Sequence, residues 1–362
     1  MNKQNFISFY KFFSFIFLEL FYFILKLFLE VKIKIINYKF FCTNLYGSTL
    51  DRIIINCDGS LTCNCRDITG NGQLGNILTK KSLIKIMNGE KINIFRDKLN
   101  KGILPIKRCA LCKSLKIIKN DKEKLKHAYK HRKIISIKEL TIENTINCSY
   151  NCLGCMKNVI EKKRLKRYLT LDDLMVIINI FKKYKINKIW LYNLGEPSQY
   201  KYFKEELKLV RFSFLKSYIF LSTNGMYINN DKIRNAIVKY TDGIEFSIDG
   251  IDQKLSSIYQ IGIDYKKVVS NLIKLIDCRG NKINPKIYWK YVLFLWNDKI
   301  KYLNKLKNLA EEIKVDGVLL YPAKTPIFTF PLNFILFKKK YTNKYNLKPF
   351  MKGEILMPIN IN

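Results

Sequence analysis

The segment Cys148-Ser149-Tyr150-Asn151-Cys152-Leu153-Gly154-Cys155 sets three thiols on one short loop. Spaced this way, three thiolates can hold three irons of a 4Fe-4S cube and leave the fourth iron open to a further ligand, and the run is too tight for three unrelated core cysteines. A tetrahedral zinc site would need a fourth protein ligand that the loop does not supply. Other cysteines are clustered too: Cys57, Cys63 and Cys65 form one group, Cys109 and Cys112 another, while Cys42 and Cys278 stand alone. In an exported chain such groups would form disulfides. At this length, and with this strongly patterned core, they read as metal or Fe-S ligands held as thiolates in a reducing compartment.

Three more short runs carry polar groups. Tyr192-Asn193-Leu194-Gly195-Glu196-Pro197 offers a glycine for a sharp turn or a close backbone approach, followed by a carboxylate able to accept hydrogen bonds from an ammonium group. Ser222-Thr223-Asn224-Gly225 and Ser247-Ile248-Asp249-Gly250 each end an apolar run with small polar residues and a glycine. A Gly-Glu-Pro turn alone is common; the same habit at three successive strand ends is not.

These runs must be placed by regular elements. Beyond residue 134 short apolar strands alternate with amphipathic helices: strands over 139–145, 188–193, 217–222, 243–248, 286–293 and 317–321, with helices over 171–184, 232–238, 265–276 and 300–313. Six strand-helix repeats with polar groups at strand C-termini predict an α/β fold, a parallel sheet curled into a partial or full barrel whose chemistry sits at the strand C-termini. Before it, residues 40–118 are Gly- and Asn-punctuated and Cys-bearing, with a strand over 51–56, a turn at Asp58-Gly59, a loop over 69–75 and a helix over 76–88. Residues 119–135 read as a charged linker. They hold both histidines, His127 and His131, spaced for one helical face, but a solvated linker is the plainer reading than a metal pair. The tail over 326–362, with Pro326, Pro331, Pro349 and Pro358 among aromatics, is uninformative, a cap on the barrel or its substrate channel being one reading.

Residues 6–29 are almost all Phe, Ile, Leu and Tyr. No small-residue cleavage site follows, and export would oxidise the cysteines, so a signal peptide is rejected. On a helical wheel Gln4, Ser8, Lys11, Glu19, Tyr22, Lys26 and Glu30 fall on one side, with Phe15, Leu18 and Leu29 intruding. Such a helix can lie in a membrane interface, span it with Glu19 buried at a cost, or pack on the protein's own body; the membrane-anchoring reading is preferred. Lys32, Lys34 and Lys39 would keep the catalytic part on the cytoplasmic side of a spanning helix. The expected localisation is therefore cytoplasmic, with membrane association through residues 1–35.

The formal net charge is +36, yet only ten of the 65 basic residues are Arg. Nucleic-acid readers lean on the bidentate Arg fork, so a dispersed Lys excess reads as a solvated surface, and no nucleic-acid partner is expected.

The cysteine loop and the strand-end motifs, in this order over residues 136–322, resemble the radical S-adenosylmethionine (radical SAM) superfamily. The resemblance implies a partial (β/α)6 TIM-like barrel over 136–325, with Cys148, Cys152 and Cys155 holding a 4Fe-4S cluster whose open iron is chelated by S-adenosylmethionine. It also implies a cofactor site at Gly195, Glu196, Pro197, Ser222, Asn224, Ser247 and Asp249: Glu196 for the amino group, Ser247 for the carboxylate, Asn224 in the nucleoside pocket. Two positions depart from the pattern. Gly154 stands where many members carry an aromatic residue, and Gln260 stands in a region, residues 258–266, where many carry an Arg.

The run Cys57-Asp58-Gly59-Ser60-Leu61-Thr62-Cys63-Asn64-Cys65, then Leu74-Gly75-Asn76-Ile77, then Cys109-Ala110-Leu111-Cys112, resembles the SPASM or twitch domains that carry auxiliary Fe-S clusters, here ahead of the barrel instead of behind it. Candidate ligands are Cys57, Cys63, Cys65, Cys109 and Cys112, with Cys42 also in reach of the choice; zinc and plain structural cysteines are the alternatives. The resemblance implies an oxidoreductase or modifying enzyme acting by hydrogen abstraction on a peptide, a protein or a sugar-like alcohol, fed by an electron donor such as flavodoxin or ferredoxin. A molybdopterin-type assembly enzyme would carry C-terminal cysteines that are absent here. A membrane-associated Fe-S electron carrier or a zinc-stabilised scaffold is the alternative from another class, but it would have no use for Glu196, Asn224 and Ser247 around the first cluster. With two histidines in the chain, His-based acid-base chemistry is not expected.

Overall fold

The computed structural model describes residues 3–46, 48–63, 70–119, 134–323, 329–351 and 354–359, with side chains from residue 12 onward in the first helix. That helix, α1 (Lys3–Ile35), leads into β1 (Tyr38–Cys42), which pairs antiparallel with β5 (Leu115–Lys119) as a separate two-stranded ribbon. Every other strand belongs to one mixed sheet. Seven lie parallel: β2 (Thr49–Ile55), β6 (Ser136–Ile142), β7 (Lys185–Trp190), β8 (Tyr218–Thr223), β9 (Gly243–Ser247), β10 (Lys286–Leu293) and β11 (Gly317–Pro322), paired in that order. Antiparallel β3 (Ser60–Thr62) and β4 (Gln73–Asn76) extend one edge; β13 (Ile355–Met357) and β12 (Lys348–Pro349) extend the other.

Six parallel strands were expected, and β2 makes a seventh. Its run Arg52-Ile53-Ile54-Ile55 pairs with Glu139 to Ile142 of β6, so the Cys-bearing module is joined to the main sheet by a backbone ladder. The two strands preceding the motifs, β6 and β7, also stop three residues earlier than expected, at Ile142 and Trp190. This leaves 143–147 and 191–195 to form the loops that meet above the sheet.

One face of the sheet is covered by Leu171–Phe181, Phe203–Ser213, Asp231–Tyr240, Tyr265–Arg279 and Ile300–Ile313. Their starts follow side-chain chemistry. Thr170 and Asp173 close a reciprocal capping box, and Asn230 and Asp264 accept from the amides of Ile233 and Lys267. The helix Phe203–Ser213 was not among those expected. The single helix expected over 76–88 is two, Ile77–Lys80 and Leu83–Met87: Lys81 turns left-handed (φ 48°) and Ser82 caps the second.

The other face is curled inward. Phe220 and Tyr288 lie on strands two apart, about 9–10 Å in a flat sheet, yet their ring centroids are 6.4 Å apart. Gly243 on the strand between them allows this, since a Cβ there would lie 2.8 Å from Phe220 Cδ2. Trp190, Leu319, Phe350 and Met351 complete this apolar layer. In the tail, β13 pairs with the edge strand β11, and Glu354 reaches in to pair with Lys290 at 3.5 Å. The linker histidines His127 and His131 lie outside the described residues, as do Cys65 and Pro326.

Candidate active site and auxiliary cysteine cluster

The loop 148–155 is tied down by backbone and not by regular structure. Asn151 N–H donates to the Ile261 carbonyl (2.9 Å) and Leu153 N–H to the Tyr259 carbonyl (3.1 Å), so the loop rides on the segment that follows β9. Tyr150 is buried under it, 4% exposed, as an apolar anchor. Cys148, Cys152 and Cys155 all remain half-buried beside the strand ends. Burial pushes the Cys148 thiol up to about 11, with an opposing hydrogen bond from the Tyr150 amide and further upward pressure from Glu196 and Cys155.

The Gly195 turn presses against this loop. Glu196 N–H donates to the Asn147 carbonyl at 2.7 Å, and a Cβ on Gly195 would lie 2.0 Å from the Thr145 carbonyl oxygen, a position no side chain can share. Pro197 opens a 3-10 turn, and its carbonyl accepts from Asn144 Nδ2. Glu196 itself is 2% exposed. Its Oε1 accepts from Thr223 Oγ1 (2.7 Å), Ser198 N–H (3.1 Å) and Ser198 Oγ, while Oε2 accepts from the Asn224 amide (2.6 Å). Burial raises its pKa, and those donors pull it back down. A carboxylate oxygen can accept twice, so Oε2 keeps capacity for one more donor.

Asn224 completes the link. Its side-chain Nδ2 donates to Cys148 Sγ at 3.7 Å, with its Oδ1 held by the Met226 amide at 3.0 Å. Three of the expected elements, the Cys148 loop, the Glu196 turn and the end of β8, are thus brought into direct contact. Ser222 is the penultimate residue of β8 and Ser247 the last of β9. Gln260, standing where an Arg was missed, bridges the end of β9: its Nε2 donates to the Ser247 carbonyl (2.7 Å) and its Oε1 accepts from the Asp249 amide (2.9 Å). Asp249 turns away from solvent and accepts from the Val292 amide at 2.9 Å. Burial raises its pKa to about 7, against the pull of Lys290. Its observed contacts hold β9 to β10.

The cysteines of the N-terminal module divide. Cys42, Cys63, Cys109 and Cys112 line one cavity walled by Leu45, Phe95 and Leu99. The ribbon explains it: Cys42 ends β1 opposite Leu115 of β5, and Leu115 N–H donates to the Cys112 carbonyl. Cys57 is elsewhere. Its buried Sγ donates to the Lys166 carbonyl at 3.3 Å, beside Ile146, Met156 and Leu194 at the strand-end mouth. Burial and the neighbouring Glu143 carboxylate push its thiol upward. Among the described residues no three Cys, His, Asp or Glu side chains converge as ligands of a single ion do. The cavity that the four cysteines line is small, about 20 Å³. The donor set, all thiol in an apolar wall, suits an Fe-S cluster.

Sequence reasoning passed over two buried polar sets that build the mouth. Glu143 accepts from Asn193 (2.8 Å), Arg164 (3.3 Å) and the Cys57 amide (3.3 Å). Asn144 donates to Glu206, which burial raises to about 8. The polar run Glu143-Asn144-Thr145 directly after an apolar strand was their only signal.

Residues 142–285 match the radical SAM superfamily, and residues 47–113 match SPASM, an iron-sulfur cluster-binding domain. No curated protein matches the chain. Among solved structures, Streptococcus suis SuiB bound to its precursor peptide SuiA aligns at 15% identity and TM-score 0.43, over 86% of this chain and 70% of that one. Native anSMEcpe with bound AdoMet aligns at 15% and 0.46 over 57% and 60%, and TYW1 with a lysine-pyruvate adduct at 14% and 0.43 over 62% and 78%. The two domains bring a 4Fe-4S cluster with S-adenosylmethionine and an auxiliary Fe-S cluster as cofactors.

Proposed function

For a chain that carries a radical SAM domain behind a SPASM domain, and so is a radical SAM enzyme, we propose that Cys148, Cys152 and Cys155 hold the catalytic cluster and that Glu196, Asn224 and Ser247 seat the cofactor against it. A cluster held there would supply low-potential electrons, at about −400 mV or below, for reductive cleavage of S-adenosylmethionine and the hydrogen abstraction that follows. The chain's residues do the rest. Glu196 offers its remaining acceptor position to the cofactor ammonium, Gly195 and Pro197 shape the turn that holds it, and the ends of β8 and β9 at Ser222, Asn224, Ser247 and Asp249 form the wall. Asn224 orients the Cys148 thiolate, and Gln260 fixes Ser247 in place of a charged clamp. The apolar layer around Trp190 and Phe220 keeps water and stray hydrogen donors from the concave face.

The observation that carries this reading is the stitching of three separate strand ends around Cys148 through Asn224 and Glu196. An electron carrier or a zinc scaffold has no need of it. We further propose Cys42, Cys63, Cys109 and Cys112 as ligands of the auxiliary cluster, a peptide, protein or sugar-like alcohol as substrate, and flavodoxin or ferredoxin as donor on the cytoplasmic side.

The test is anaerobic reconstitution with iron and sulfide, then assay of 5'-deoxyadenosine from S-adenosylmethionine and dithionite. Production that disappears in Cys148→Ala is expected. An iron-loaded protein that makes none would return the chain to the carrier or scaffold class.

A further inference from the structure

Helix α1 is built inside out. Its inward edge, read from exposure, is Ser14, Phe15, Leu18, Glu19, Tyr22, Leu25, Lys26, Leu29, Glu30 and Ile33, the helical period of one face. That edge holds the polar residues together with Phe15, Leu18 and Leu29, which looked like intruders in the sequence and are contact residues in the fold. Glu19 pairs with Arg108 at 3.1 Å and Lys107 at 3.3 Å, and the Arg108 guanidinium lies 4.0 Å from the centroid of the Tyr22 ring. Glu30 Oε1 accepts from the Leu104 amide at 2.7 Å. From residue 12 on, the apolar residues that remain face out, among them Phe12 at 60% exposure, Ile16, Leu20, Ile24, Leu27, Phe28 at 61% and Val31.

A helix on a soluble body normally turns its apolar stripe to the core. Here about a dozen large side chains, each roughly half exposed, present on the order of 1,000 Å², well above the few hundred Å² of an ordinary monomer surface. The segment Phe12–Ile35 is long and apolar enough to cross a membrane. Crossing would pull Glu19 off Arg108 and Lys107 and Glu30 off the Leu104 amide, and carry both, with Lys26, into hydrocarbon. Lying flat costs none of those contacts.

Charge selects the occupant. Along the inner flank of the helix a cavity of about 620 Å³ is lined by Lys26, Lys107, Arg108, Glu19 and Glu90, with the exposed Lys91 and Lys98 tipping its charge positive; Lys32 and Lys34 are exposed in the last turns of the helix, and the chain carries +36. A second copy would set these like charges against each other; anionic headgroups pair with them. We infer that α1 is a monotopic docking helix, lying along an anionic bilayer with its outward face in the acyl boundary and its polar edge kept for the protein. Because Phe15 packs in the cluster of Cys57, Met156 and Leu194, docking also holds the strand-end mouth beside the headgroups.

The experiment uses the full, reconstituted chain with vesicles of phosphatidylglycerol and phosphatidylcholine, and with phosphatidylcholine alone. Sedimentation with the anionic vesicles is expected, and the triple variant Phe17→Ser, Phe21→Ser, Phe28→Ser should bind at least roughly tenfold more weakly while its fold and melting are kept. Brominated acyl chains should quench Leu20→Trp, on the outward face, and not Tyr22→Trp, measured over the wild-type signal. Equal quenching at both positions would mean a spanning helix and overturn the inference. So would equal binding to neutral vesicles, or an absence of vesicle binding together with self-association that the triple variant abolishes, the mark of a second copy on this face.

Discussion

Asn224 touches Cys148 and Glu196 at once: its side-chain amide lies 3.7 Å from Cys148 Sγ, and its backbone N–H lies 2.6 Å from Glu196 Oε2. One residue at the end of β8 therefore touches both the cysteine proposed to carry the cluster and the carboxylate proposed to meet the cofactor. A hydrogen bond to a ligating sulfur stabilises the reduced, more negative cluster. Asn224→Leu keeps the backbone bond and removes the side-chain one. The cluster potential should fall by tens of millivolts in an EPR-monitored redox titration, and an unchanged potential would show that the amide does not reach the thiolate in the loaded enzyme.

Gly195 is needed because backbone fills the place of its side chain. In Gly195→Ala the new methyl collides with the Thr145 carbonyl, and the turn must leave the cysteine loop. Overpacking of this kind costs about 1–3 kcal/mol or more. A thermal melt several degrees lower and a large loss of S-adenosylmethionine affinity by calorimetry are expected; wild-type affinity would mean that the turn does not form the cofactor seat.

The division of the module cysteines predicts two different outcomes for two similar changes. Cys42→Ser should lower the iron and sulfide retained after reconstitution and change the Mössbauer signature of the auxiliary cluster. Cys57→Ser should leave both unchanged, because its Sγ bonds to the Lys166 carbonyl away from the group. Iron loss in Cys57→Ser with retention in Cys42→Ser would reverse the assignment.

Glu206 gives stability a pH dependence. Burial raises its pKa from 4.5 to about 8 in the fold, so between those values the folded chain holds a proton that the unfolded chain releases. Stability from this group is complete below the unfolded value, falls as pH rises, and is lost above about 8. Each tenfold difference in proton affinity is worth about 1.4 kcal/mol, making the total on the order of a few kcal/mol. Denaturant melts of Glu206→Gln should match wild type near pH 5 and exceed it near pH 9. Parallel curves across that range would remove Glu206 as the source.

Local chemistry made much of the candidate active site legible. The Cys148 loop, the Gly195-Glu196-Pro197 turn and the β8 and β9 ends are short contiguous runs, each following an apolar strand whose period is visible in the chain, and the superfamily they resemble is the one that matches. The auxiliary group was only half legible. Cys109 and Cys112 are neighbours in sequence, but Cys42 joins them through a ribbon between residues about 75 apart, and nothing local distinguishes it from Cys57. The missed pairs, Glu143 with Asn193 and Asn144 with Glu206, are likewise bonds between distant residues.

By itself, the order of residues determined the alternating strands and helices, the three-thiol loop and the amphipathic split of α1, because period and spacing are properties of neighbours along the chain. Tertiary structure alone decided that β2 enters the catalytic sheet as a seventh parallel strand, which cysteines share a cavity, and that the polar edge of α1 turns inward. Each of those choices depends on which distant group satisfies a buried hydrogen bond or charge. Glu19 is an exposed acid on a helical wheel until Arg108 is folded against it.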